Sequence, residues 1–178
     1  MSLTTSRLVL SFLLLAALLP EAAPAEPLRV QVPHQAGASV RRALLSARRR
    51  LAGESCRRVL SDFDSVLERR SLGAVLESRG GTAEGHLDTL VFKDGSGHPR
   101  CARPEILAFT SVGSGTVFVC ARSFVRVAQR DPALAEMVLI HEALHTLGLG
   151  ENPPTSGEIT ARIEERCGDR KVADAVTP

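Results

Sequence analysis

The 178-residue chain has no Trp and no Tyr, and its aromatic content apart from histidine is six Phe. Proteins hold unpaired nucleobases on aromatic stacking platforms, so this shortage argues against single-stranded nucleic acid as a partner. An excess of charge of one sign is missing too. Lys and Arg number 22 and Asp and Glu 20, for a net charge of +2. That near-balance argues against a strongly electrostatic partner such as bulk nucleic acid. Internal repeats and low-complexity tracts are also absent. With 44% hydrophobic and 24% charged residues, the composition is that of a folded domain and excludes wholesale disorder.

The one uninterrupted apolar run is at the N-terminus. Arg7 precedes residues 8–19, which carry no charge; Pro20 breaks the run, and Ala23-Pro24-Ala25 has the small-x-small form of a signal-peptidase site. About twelve apolar residues are too few for a helix that needs about 20 to cross a bilayer. Residues 1–25 therefore read as a signal peptide cleaved after Ala25, rather than as an anchor. Residues 26–178 read as a single secreted or periplasmic domain with no membrane attachment after cleavage. No Cys follows the apolar run, so no lipid anchor is suggested.

Cysteine is scarce but even in number. Cys56, Cys101, Cys120 and Cys167 all follow the leader. In an oxidising compartment four cysteines predict two disulfides. No C-x-x-C spacing supports a cysteine-held zinc. Three pairings are open; Cys101–Cys120 with Cys56–Cys167 is favoured, because the first pair flanks a predicted hairpin. Reduced buried thiols are the plainer alternative.

Along the chain, residues 28–32 alternate as a short strand does. Gly37-Ala38-Ser39 opens a helical stretch, with Ser39 as its predicted N-cap. Val40, Leu44, Leu45, Leu51, Ala52, Cys56, Val59 and Leu60 recur at helical spacing, interrupted by Gly53. Arg41, Arg42, Arg48, Arg49, Arg50, Arg57 and Arg58 occupy the other face, which reads as a solvated side rather than a nucleic-acid patch. Residues 61–79 show no clear period. Residues 87–92 predict a strand, closed by Asp94-Gly95-Ser96-Gly97. Residues 106–110 and 116–120, joined through Gly113-Ser114-Gly115, predict a hairpin, and 123–129 a short helix. The fold class that results is α+β: a small twisted sheet with an N-terminal helix and a later helix that carries the chemistry.

That later helix has the clearest boundaries. Asp131 is a good N-cap, Pro132 suits the first helical position, residues 133–147 contain no breaker, and Gly148 is a natural stop. Within it lies His141-Glu142-Ala143-Leu144-His145. Positions i and i+4 share one helix face, so two imidazoles can hold one zinc ion, with Glu142 beside them as a general base. Leu134, Val138, Leu139, Ile140, Leu144 and Leu147 would bury the helix in a core. Two histidines satisfied by core hydrogen bonds are the bland alternative. Catalytic zinc takes three protein ligands and keeps one position open. Residues 141–151 read H-E-x-x-H-x-x-G-x-x-E, in which Gly148 permits a turn that brings Glu151 back towards the histidines. Rival third ligands are Glu158, just before a following helix, 159–166, and Glu164 and Glu165 on it, although Thr155-x-x-Glu158 is also a capping-box spacing.

The extended motif resembles that of the metzincin branch of zincin metallopeptidases, H-E-x-x-H-x-x-G-x-x-H, with Glu151 at the place of the third His. Snapalysin-like secreted bacterial proteases are similar in placing a carboxylate there. Met137, the one methionine after the leader, precedes His141, so the metzincin Met-turn has no counterpart. The resemblance implies a zincin-like fold with one Zn2+ per chain, held by His141, His145 and Glu151. It implies hydrolysis of protein or peptide substrates, with Glu142 as the catalytic base. Many zincins also stabilise the oxyanion with Tyr or His; here His34, His86, His98 or an Arg would have to serve, or the metal alone. An edge strand usually holds the substrate, and 116–120 is the expected one. The competing functions are a zinc-binding, non-hydrolytic secreted module and an amidase acting on cell-wall peptides.

Overall fold

A computed structural model describes residues 28–168. The predicted signal peptide and its cleavage site lie outside the described residues. The architecture is α+β, with seven helices and a four-stranded mixed sheet among the described residues.

Strand β1 (Arg29–Gln31) leads directly into helix α1 (His34–Ala52). The helix starts five residues before the predicted cap Ser39, which lies inside it. Gly37 is what lets the early start fit: any Cβ there would collide with the carbonyl oxygen of Val32. The buried stripe is Gly37, Val40, Ala43, Leu44, Ala47 and Leu51, while Leu45 is exposed. Gly53 ends the helix rather than kinking it. A short α2 (Glu54–Arg57) and a 3-10 turn (Arg58–Ser61) then bury Cys56, Val59 and Leu60. The arginine face is largely solvated, with two members used internally. Arg48 pairs with Asp88 at 3.1 Å, and Arg50 donates to Glu136 at 2.6 Å and to the Cys167 carbonyl at 2.7 Å.

Residues 61–79 contain α3 (Leu72–Ser78), capped by Ser71. The expected strand over 87–92 is corrected. Thr82 caps a helix, α4 (Ala83–Thr89), and after Leu90 only four residues form β2 (Val91–Asp94). Leu87 is buried as a helical residue, in a helix that packs on α1. The hairpin is present as β3 (Ala108–Thr110) and β4 (Thr116–Val119), and α5 (Ala121–Arg130) follows. The sheet order is β1-β2-β4-β3, parallel except for β3 against β4. Segment 116–120 is therefore not an edge: β4 is bonded on both sides, and the edge beside the motif helix is β3.

The motif helix α6 (Pro132–Thr146) has the predicted ends. Asp131 Oδ1 accepts the Leu134 N–H at 3.0 Å, Pro132 stands at the start, and Gly148 follows with φ +106°. It packs against α1, α5, β3 and α7 (Ser156–Cys167), so nearly its whole second half is buried. The two favoured disulfides are both formed, Cys56–Cys167 and Cys101–Cys120. No helix among the described residues is long and apolar enough to cross a membrane.

Candidate metal centre

His141 and His145 lie one turn apart on α6, with ring centroids 4.9 Å apart. After Leu147 the chain turns through Gly148 in a left-handed conformation. Ser65 packs so closely on this glycine that a Cβ would strike its Oγ. The Val66 N–H bonds the Gly148 carbonyl, and Ser65 bridges Leu149. The 65–66 segment thus clamps the turn, and Glu151 emerges facing the imidazoles.

Glu151 Oε1 is 3.7 Å from His141 Nε2 and 3.5 Å from His145 Nε2. Two ligands each about 2.1 Å from a tetrahedral ion stand about 3.4 Å apart. The spacing is therefore long for direct hydrogen bonds and suits three donors sharing one cation. The far side of each ring is already engaged. His145 Nδ1 meets the Leu149 carbonyl at 2.8 Å, and His141 Nδ1 meets Thr160 Oγ1 at 3.3 Å. Such outer bonds fix ring orientation and leave Nε2 for a metal. Burial, with a further push from His145, lowers the His141 pKa to about 4 against the pull of Glu151. The ring is thus neutral near pH 7, the form a ligand needs. Among the described residues this trio is the one group of three or more His, Cys, Asp or Glu donors that comes together to hold an ion. The donor set fits a zinc-like cation: two imidazoles and a carboxylate, with both histidines buried and Glu151 41% exposed. The open side of the site therefore faces solvent through Glu151.

The cleft around the trio, about 330 Å³, is also lined by Glu142, by Phe109 and Thr110 of edge strand β3, and by Arg100 and Arg103. Burial pushes the Glu142 carboxyl up to about 8, and the Glu151 charge adds to the rise. The Arg100 guanidinium and the Thr110 backbone amide oppose it. A cation held by the trio would further favour the carboxylate. A larger cleft, about 750 Å³ and lined by Asp62, Arg162 and Glu165 among others, contains none of the three donors.

The rival ligands are not in this group. Glu158 closes the capping box of α7: its carboxylate accepts from the Thr155 N–H at 2.7 Å and from Thr155 Oγ1 at 2.8 Å. Glu165 pairs with Arg162 at 2.8 Å. Glu164 is exposed on α7. The remaining histidines also separate. His34 starts α1, and the His98 ring meets Phe109 at a tilt, with ring centroids 4.6 Å apart. His86 is half-buried rather than in a surface loop, its Nε2 2.7 Å from Thr146 Oγ1 at the end of α6.

Sequence reasoning missed Thr160, the Leu149 carbonyl, Arg100 and Arg103. A backbone carbonyl leaves no side-chain signal. Thr160 adjoins Ile159 on the buried face of α7, a weak hint. Arg100 was within reach, because the expected Cys101–Cys120 bond already ties residue 100 to the hairpin. No protein-family model matches the chain, nor does any curated protein or solved structure.

Proposed function

We propose that the protein is a secreted, zinc-dependent metallopeptidase of zincin-like type, which hydrolyses peptide bonds at the His141–His145–Glu151 centre. The observation that carries this reading is the convergence of two oriented Nε2 atoms and one carboxylate oxygen at tetrahedral-ligand spacing, with the buried Glu142 carboxyl lining the same cleft. Pure metal storage has no use for Glu142. Bound there, zinc would supply Lewis-acid polarisation of the scissile carbonyl and acidify a water molecule near neutral pH.

The chain's own residues perform the remaining work. His141, His145 and Glu151 would hold the ion. Glu142, as carboxylate, takes the proton from the attacking water and passes it to the leaving amine. Its burial acts to raise its basicity, and a cation held by the trio would offset part of that rise and favour the carboxylate. Edge strand β3 offers backbone groups beside the cleft, to which an extended peptide can add as a further strand. The two disulfides, and the absence of a membrane-spanning helix among the described residues, agree with an exported protein.

Metal analysis with an unfolded-protein cleavage assay tests the reading. The purified protein is expected to hold one zinc per chain and to cleave, with activity lost to chelator and reduced at least about 100-fold by Glu142→Ala while zinc content stays unchanged. One bound zinc with no hydrolysis would instead establish a binding module. Activity confined to cell-wall peptides would establish the amidase.

A further inference from the structure

Charge in the metal cleft is unevenly distributed. Glu142 and Glu151 lie with the histidines, whereas Arg100 and Arg103 contribute to the lining from the segment that precedes edge strand β3. Arg103 has an exposed partner, Glu105, at 3.7 Å. Among the described residues, no carboxylate pairs with Arg100. Its guanidinium instead lies over the Phe109 ring, 5.4 Å from the centroid.

Several contacts hold Arg100 in place. It belongs to the 3-10 turn Pro99–Ala102, and its N–H donates to His98 Nδ1 at 3.2 Å. The next residue, Cys101, is covalently bonded to Cys120 at the end of β4. Phe109 in turn stacks on Phe118, 5.3 Å between centroids, and meets the His98 ring. A guanidinium keeps its charge at every ordinary pH. Lying over the Phe109 ring, it is held towards the cleft by a cation–π contact and keeps its planar fork of N–H donors. A fork that makes no salt bridge, though its charge reaches Glu142, suits bidentate capture of a carboxylate. The balance of charge points the same way: two guanidinia and a divalent cation outweigh the carboxylates of Glu142 and Glu151. The metal-loaded cleft would be positive and would attract an anionic group on an incoming chain.

We propose that Arg100, seconded by Arg103, makes this a site for peptides that carry a carboxylate, either an acidic side chain or a free C-terminus, close to the bond presented to Glu142. The proposal rests on the peptidase reading of the same cleft and names its substrate class.

The test uses the zinc-loaded protein carrying Glu142→Gln, which binds without turnover. The probes are fluorescein-labelled alanine heptapeptides with one Glu or one Gln at each internal position in turn, each with a free or an amidated C-terminus. Binding is read by fluorescence anisotropy. At least one carboxylate-bearing peptide is expected to bind about 10-fold tighter than its neutral twin. The position that responds tells a side-chain carboxylate from a terminal one. Adding Arg100→Met should bring that ratio close to one, Arg103→Met should lower it less, and Arg100→Lys should retain part of it, all with unchanged zinc content and circular dichroism. Equal binding of the twins, no binding of either, or a ratio that survives Arg100→Met overturns the proposal.

Turnover of the same peptides by the unmodified protein separates the two readings. Cleavage without carboxylate preference removes only the anion site. Preference without any cleavage removes only the peptidase. If Arg100→Met lowers kcat equally for charged and neutral peptides and leaves KM unchanged, the guanidinium serves the oxyanion, and the proposal fails.

Discussion

At the scale of single residues, the centre depends on which atom of each side chain is left free. His141 and His145 each have Nδ1 engaged and Nε2 turned to Glu151. Thr160→Val should therefore weaken zinc binding about 10-fold or more without removing any ligand, measurable by competition with a chelating dye. Glu151→Gln should abolish stoichiometric zinc. Glu158→Gln should keep it and change thermal unfolding little, because a Gln side chain can still close the capping box of α7; loss of zinc in the second variant but not the first would reverse the assignment. His86 supports a prediction of a different kind. Burial holds its pKa down at about 4, below its ordinary 6.5. The unfolded chain therefore takes up a proton that the folded one resists. Stability attributable to His86 is complete above pH 6.5 and declines as pH falls from 6.5 towards 4. For a half-buried ring this decline amounts to roughly 2 kcal/mol. Denaturant titrations in excess chelator should show it in the parent protein, and His86→Gln, which can still donate to Thr146, should flatten the difference. Residue types at fixed spacing were readable in the chain: His141, Glu142, His145 and Glu151 form one contiguous motif. Their supporting bonds were not, because Thr160 comes from another helix and the Leu149 partner is a backbone oxygen.

At the scale of elements, the helix ends mattered most. Asp131, Pro132 and Gly148 each act through local backbone chemistry, and so α6 could be read with its boundaries from sequence. Gly148 combines a positive φ with the close approach of Ser65. Gly148→Ala should cost about 2 kcal/mol or more in chemical denaturation and should loosen zinc binding as well, because the same turn aims Glu151. A fall in stability with zinc affinity intact would show that the turn is not what positions the carboxylate. The strand expected over 87–92 overlaps the last turn of α4 because Leu87, Leu90, Val91 and Phe92 are equally at home in either structure. Packing against α1, together with the Arg48–Asp88 pair, settles the first part as helix, and no local pattern carries that information. The edge strand was misplaced for a similar reason: both halves of the hairpin were legible, but sheet order depends on where β2 inserts.

At the scale of the whole molecule, the two cross-links differ in reach. Cys101–Cys120 spans 19 positions and Cys56–Cys167 spans 111. Loop-closure entropy assigns them about 3 and about 5 kcal/mol respectively. Replacing Cys56 and Cys167 together by Ser should therefore lower stability more than replacing the hairpin pair, as measured by equilibrium unfolding; the opposite order would show strain or residual structure outweighing chain entropy. The longer link acts together with polar ones. Arg50 bonds Glu136 and the Cys167 carbonyl, and Arg166 bonds Asp62 at 2.7 Å. The Glu136 bond holds α6; the others fasten α7 to the first third of the domain, and α7 carries Thr160 to His141. This fastening sets an order of events in time. A chain threading out N-terminus first displays its complete H-E-x-x-H-x-x-G-x-x-E segment while Cys167 is still behind it. His141 gains its Thr160 partner only once the last helix has arrived and docked.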